Sequence, residues 1–483
     1  MSDANQKVVI IGGGIAGITT AYYLQKKARE QGLNIDCELL EASHKLGGKI
    51  QTTVRDGFVI EKGPDSFLAR KQSASRLANE VGLGDKLIAN TSGKSYVLVR
   101  DKLHPMPGGA IMGIPTQIAP FVTSGLFSPV GKLRAGLDFV LPRSDKQGDQ
   151  SLGEFFRRRL GDEVVENLIE PLLSGIYAGD IDQLSLMTTF PQFYQVEQKH
   201  RSLILGMKHS APPKQPKTTT AKKPGMFLTI STGLQSFVDA VEEKLNKGSV
   251  KMGIRVEHIE KSDSNYRLSL SNGTTITADS VVIATPHGPT SSMFSQYSFF
   301  DSFKEMPSTS VATVAMAFPE SVIKNDIDGT GFVVSRNSDY TITACTWTHK
   351  KWPHTTPKGK VLLRCYVGRA GDEAIVEQSD DEIIKVVLDD LNKTMDITAS
   401  PEFSIVTRWK EAMPQYTVGH LDRLQSIDQA MQNELPGVFM AGASYRGLGI
   451  PDCIDQGEAA VEKVLSFLQE QAKNNPKVLI DVK

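Results

Sequence analysis

The chain has 483 residues, a formal net charge of -1 at neutral pH and 40% hydrophobic residues. That balance excludes a dedicated nucleic-acid binder, the hydrophobic share is that of an ordinary globular enzyme, and the length exceeds what one core supports, so two or three domains are expected. Four cysteines (Cys37, Cys345, Cys365, Cys453) lack Cys-x-x-Cys spacing; they read as buried thiols of a reducing cytosol, and with no signal-type segment before the first strand a cytoplasmic protein is expected.

Residues 8–17, Val-Val-Ile-Ile-Gly-Gly-Gly-Ile-Ala-Gly, put a β-branched strand directly before a Gly-x-Gly-x-x-Gly turn. Gly12 permits the tight turn, Gly14 lets a pyrophosphate approach the backbone, and Gly17 lets the next helix lie close on the sheet. Gly13, Ile15 and Ala16 complete the cradle at that helix's N-terminus, where free N–H groups favour an anion. The helix is predicted over residues 15–31 and a second strand over 37–40, ending in Glu41, which with Ala42 stands where an acid accepts hydrogen bonds from an adenosine ribose. A bound dinucleotide is the first inference.

Paired Gly47 and Gly48, then Lys49 and Thr52, come next, followed by a strand over 58–60 and the loop Gly63-Pro64-Asp65-Ser66. These resemble the second fingerprint of the amine-oxidase and phytoene-desaturase flavoproteins, which implies FAD held along its length and the 63–66 loop near its isoalloxazine. The basic residue of that fingerprint is usually Arg; Lys49 keeps the charge and loses the bidentate fork. Residues 103–131 carry no formal charge, yet Pro105, Pro107, Pro115, Pro120 and Pro129 break any spanning helix. Buried packing or an apolar lip around a greasy substrate is expected there, with weak peripheral membrane contact as the alternative.

Amphipathic helices are predicted over 152–160 and 163–173. Residues 199–223 are basic without an acid, and 210–224 read as a mobile loop. Residues 232–237 open another helix, Val256 lies in a segment (254–259) suited to covering an adenine, and 279–286 read as a buried parallel strand. At the other end, a strand closing at 437–444 leads through Gly447-Leu-Gly-Ile-Pro-Asp-Cys453 into a helix over 458–468, with Pro451 in its first turn. By the same resemblance, Gly449 and Ile450 lie at a positive helix end facing the flavin.

Ser151-Leu-Gly-Glu-Phe-Phe-Arg-Arg-Arg-Leu-Gly161, the run from Gly161 through Ile-Glu-Pro-Leu-Leu-Ser-Gly-Ile-Tyr-Ala-Gly-Asp180, Met413-Pro-Gln-Tyr416 with His420, and the 447–453 turn are similar to the protoporphyrinogen/coproporphyrinogen oxidase family. The likeness is closest to the oxygen-dependent, coproporphyrin-forming branch of Gram-positive bacteria and covers the chain to about residue 470; Leu448, where Val is the pattern, and the tail after Gln469 depart from it. The resemblance implies FAD- and oxygen-dependent six-electron oxidation of coproporphyrinogen III to coproporphyrin III in three flavin cycles, with hydrogen peroxide released. Hydride would pass from a meso carbon to flavin N5, and product would go to a ferrochelatase of haem biosynthesis. It further implies Lys71, Ile176, Phe332, Tyr366 and Tyr445 as substrate-side residues and Trp409 packed on the cofactor side.

No Ser-His-Asp, Cys-His or paired-carboxylate constellation stands out, no ligand-spaced metal cluster is present, and no catalytic side chain or metal is expected. A protoporphyrinogen IX oxidase is the alternative within the family; a flavin amine oxidase or carotenoid desaturase lies outside it, and an FAD-binding module without catalysis is the remaining class. The expected fold is α/β: a discontinuous Rossmann-like FAD-binding domain (1–75, 226–290, 404–483), a helical, membrane-binding-like domain with an apolar lip (76–210), a linker loop (211–225) and a substrate-binding α+β domain (291–403), in a monomer or homodimer.

Overall fold

In the computed structural model the described residues are 5–474, except 92, 147, 211–224 and 264. The linker expected at 211–225 therefore lies, but for Gly225, outside the described residues.

Strand β1 (Gln6–Ile11) runs directly into helix α1 (Ile15–Gln31), which Gly32 ends in the left-handed conformation (φ 63°). Strand β2 (Ile35–Glu41) returns parallel to β1. The sheet has five parallel strands in the order 250–252, β2, β1, 280–283, 438–440, so both ends of the chain contribute. Val8 and Ile10 enter one core with Leu39 and Val282, while Val9 and Ile11 enter another with Leu40 and Val281. A strand buried on both faces needs an unbroken apolar run, which is why β1 reads as one. The helix Ile450–Asn474 lies against α1 on the first face; the meander of Val256–Ser262, Asn265–Leu270 and Thr275–Ala278 closes the second.

A second sheet has seven strands in the order 403–414, 308–319, 360–367, 342–347, 331–334, 95–99, 102–105, antiparallel except where 331–334 meets 95–99. The helix Asp380–Met395 covers its back, started by a capping box between Ser379 and Glu382. A run of helices fills residues 118–210. Among them Arg159, Asp138 and Glu197 form a fully buried charged knot, with Arg159 Nε 2.6 Å from Asp138.

Three domain boundaries are corrected. Residues 404–414, expected in the cofactor domain, belong to the edge strand Phe403–Pro414 of the seven-stranded sheet. Strands 95–99 and 102–105, assigned to the helical domain, belong to the same sheet. Residues 291–306, assigned to the substrate domain, instead bury Met293, Phe294, Phe300 and Phe303 in the core shared by the cofactor sheet and the helical region. No helix among the described residues is long and apolar enough to cross a membrane.

Candidate flavin site and the cleft before it

The three motif glycines do different work. A Cβ on Gly17 would sit 1.8 Å from Gly12 O, so only hydrogen lets α1 pack there, and Gly12, at φ 105°, leaves no room beside the Ala284 backbone. A Cβ on Gly14 meets nothing within 4 Å. Helix α1 starts at Gly14 with no capping side chain and no acid in its first turn, leaving its positive pole open to an anion. Ile15 and Ala16 turn their side chains into the core and offer that anion only backbone.

Glu41 is held at the end of β2 by Gly13 N–H (2.6 Å) and Ser43 N–H (2.7 Å); Ala42, beside it, is exposed. The segment leading to Val256 is tied to the same corner, since Ile254 N–H donates to Glu41 O and Gly253 N–H to Ser43 O. Gly47 N–H donates to Gly13 O, and Gly48 lies against Gly14. Lys49 donates to Ala412 O, has no carboxylate partner among the described residues, and burial lowers its pKa. A half-buried lysine paired only with a carbonyl suits a neighbouring phosphate or an anionic ring, so these residues fit a flavin dinucleotide.

The 63–66 loop joins the two sheets. Lys62 O accepts from Thr313 Oγ1 (2.8 Å) and Trp409 Nε1 (2.9 Å), and Gly63 O accepts from Arg364. A Cβ on Gly63 would strike Lys49 O. Pro64 and Ser66 are half-buried. Burial pushes the Asp65 carboxyl up, but Lys351, Arg364 and the Ser66 hydroxyl outweigh it and hold Asp65 well below the usual carboxylate range. At the far end a Cβ on Gly457 would lie 2.8 Å from Ala16 O, which brings the turn carrying exposed Gly449 and buried Ile450 beside the start of α1.

The substrate-side residues do not all gather. Ile176 is 50% exposed at the end of the helix Glu170–Tyr177. Tyr366 lies on the sheet face toward the 62–66 loop, with the Arg364 guanidinium 5.0 Å from its ring centre. Lys71 is paired with Asp452 in the first turn of the C-terminal helix. Phe332 is corrected: its register partner is Cys345, which faces Cys365, whereas Tyr366 faces Ala344. Strand parity therefore sends Phe332 to the opposite side of the sheet, 4% exposed against Trp347. Tyr445 is corrected too, because it is 2% exposed and its hydroxyl donates to Thr285 O (2.9 Å) beside Thr290 Oγ1. It is an internal post.

Arg364, Lys351 and Glu61 were missed. One signal existed: an Arg inside the apolar run 360–367 shares a strand face with Tyr366. Cys453 is buried and its thiol is pushed up to about 12, which disfavours a covalent flavin link.

This fold and site define a flavin oxidoreductase, and the chain belongs to the flavin-containing amine oxidoreductase family, which it matches over residues 15–465. Within that family it is 58% identical to coproporphyrinogen III oxidase of Bacillus subtilis, over 97% of this chain and 100% of that one. It is 46% identical to coproporphyrinogen III oxidase of Staphylococcus aureus, over 96% and 100%. A crystal structure from Exiguobacterium named for a protoporphyrinogen oxidase aligns with TM-score 0.86 and 38% identity, over 96% of this chain and 99% of that one.

Proposed function

We propose that the protein oxidises coproporphyrinogen III to coproporphyrin III, a six-electron reaction using FAD and dioxygen and releasing hydrogen peroxide. The observation that carries this reading is the 58% identity across the whole length of a relative named for that activity. FAD, when bound, supplies the hydride acceptor. The protein's share is orientation: the open N-terminus of α1 and Gly14 take the pyrophosphate, Glu41 takes the ribose, and Lys49 supplies a half-buried positive charge. Ile176 and Tyr366 flank the macrocycle, and Lys71 takes a propionate by leaving Asp452, a half-exposed pair that costs little to open.

A protoporphyrinogen IX oxidase is the second reading, favoured by the name of the Exiguobacterium structure. Anaerobic mixing of holoenzyme with each porphyrinogen, followed at the flavin absorbance and the porphyrin fluorescence, separates them. Flavin reduction by coproporphyrinogen at a higher kcat/KM supports the first reading; preference for protoporphyrinogen supports the second, and reduction by neither rejects both.

The protein works in the cytoplasm with a peripheral hold on the membrane and passes product to a ferrochelatase. The support is an apolar stripe: Val130, Leu133, Leu137 and Val140 recur at three- and four-residue spacing and are between 43 and 76% exposed. Ile118 and Val122 are exposed in the preceding helix, and Arg201, beside the stripe at Phe139 O, suits an anionic surface.

A further inference from the structure

A small cavity of a size that admits water lies at the seam between the two sheets, beneath the 62–66 loop. Glu61, Thr229, Thr348, Arg364, Asp65 and His354 line it between apolar neighbours. Arg364 is 3% and Thr348 7% exposed, yet Arg364 Nε and Thr348 Oγ1 have no hydrogen-bond partner in the protein. Two orphaned polar atoms on one cavity mark a place for ordered water. His354 lines the cavity and is exposed on its other side.

Glu61 is the odd acid in this cluster. Its oxygens accept from Leu234 N–H (2.7 Å) and Thr52 Oγ1 (2.8 Å), and Thr52 accepts in turn from Gln235 N–H. The charged groups packed around it are Arg364 from the sheet, Asp65 from the loop, and Lys351 and His354 from the segment after strand 342–347. Asp65 engages Lys351 at 2.8 Å and is the main counterion of both cations. Burial raises Glu61 to about 7 despite its hydrogen bonds and Arg364.

We propose that this cavity is a hydrated proton relay, in which water held by Arg364 and Thr348 joins the Glu61 carboxyl to solvent at His354. This rests on the proposed oxidation. Each two-electron step takes a hydride from a meso carbon and sheds one proton, and over the three steps these protons amount to two from pyrrole nitrogens and one from the remaining meso carbon; dioxygen later takes hydride and proton to become hydrogen peroxide. Glu61 carboxylate accepts the proton in the first half and returns it in the second, so no net proton is gained or lost.

The test is redox-difference infrared spectroscopy of the holoenzyme, with the flavin photoreduced in the absence of porphyrinogen, so that it reads the relay even if the substrate assignment fails. A protonated-carboxyl band that shifts in deuterium oxide and is lost in Glu61→Gln supports the relay. Gln mimics the neutral acid and keeps the Leu234 bond, so the fold and FAD content are retained. In Thr348→Val, deuterium should enter that band more slowly at unchanged FAD content, and in His354→Ala added imidazole should restore the exchange. Absence of a Glu61-dependent band, or exchange untouched by both other variants, overturns the relay.

Discussion

Gly14 and Gly17 are three residues apart and demand hydrogen for opposite reasons. Gly17 faces protein, so Gly17→Val is expected to abolish folding. Gly14 faces open space, where the proposed pyrophosphate would lie, so Gly14→Val should melt close to wild type and carry no FAD, read from flavin absorbance beside a thermal scan. Stoichiometric flavin in Gly14→Val would refute the pyrophosphate assignment.

A second residue-scale expectation concerns acid. Burial lowers His420 from 6.5 to about 4, partly offset by its bond to Tyr445 O. Below 6.5 the unfolded chain binds a proton that the native state refuses, so stability falls from pH 6.5 toward 4, by at most about 3 kcal/mol. Glu61 has the opposite sign: its pKa is raised from 4.5 to about 7, so its contribution is complete below 4.5 and is lost as pH rises through 7. Urea unfolding across this range should show a shallower acid limb in His420→Gln and a flatter neutral limb in Glu61→Gln. The demands on Gly12 and Gly17 were legible because each is steric and only one residue type meets it. That Phe332 and Tyr366 face opposite sides of the sheet was not, because strands 331–334 and 360–367 are buried on both faces and their alternation is hidden.

Among elements, the prolines of 103–131 correctly ruled out a spanning helix, and Ile118–Thr123 is one short turn of what remains. The exposed stripe begins only at Val130, near the end of that window, and its continuation was masked by the charges at Lys132, Arg134 and Asp138, of which Arg134 and Asp138 are engaged elsewhere. Leu133→Glu with Leu137→Glu should abolish sedimentation with anionic vesicles while leaving the melting temperature within about 2 °C, since surface changes cost little. Unchanged sedimentation would remove the stripe from membrane contact. Strand 403–414 escaped notice for a related reason: as an edge strand it mixes Arg408, Lys410 and Glu411 with apolar residues and shows no clean period.

For the whole molecule, the site exists only where two sheets meet. Lys351 and Asp65 tie the antiparallel sheet's flank to the cofactor loop at 2.8 Å, both side chains largely buried. Lys351→Met leaves Asp65 ionised with less compensation and should cost about 3 kcal/mol. FAD should dissociate at a correspondingly lower temperature, seen as flavin fluorescence during heating; release at the wild-type temperature would mean the seam does not support the cofactor. That the FAD domain is discontinuous was legible, because motifs at both ends fit one ligand. Where it meets the other domains was not, because those borders are set by long-range packing.

The parallel sheet takes its last strand from residues 438–440, beyond nine-tenths of the chain. During synthesis the first strand, its glycine turn and Glu41 leave the ribosome early, yet the wall opposite them is among the last things made. A nascent or prematurely stopped chain therefore holds half a cradle and no working flavin. The interleaving makes the cradle a test of length: an unfinished copy lacks the strand that closes the sheet, so a flavin can be held only by a chain that is nearly complete.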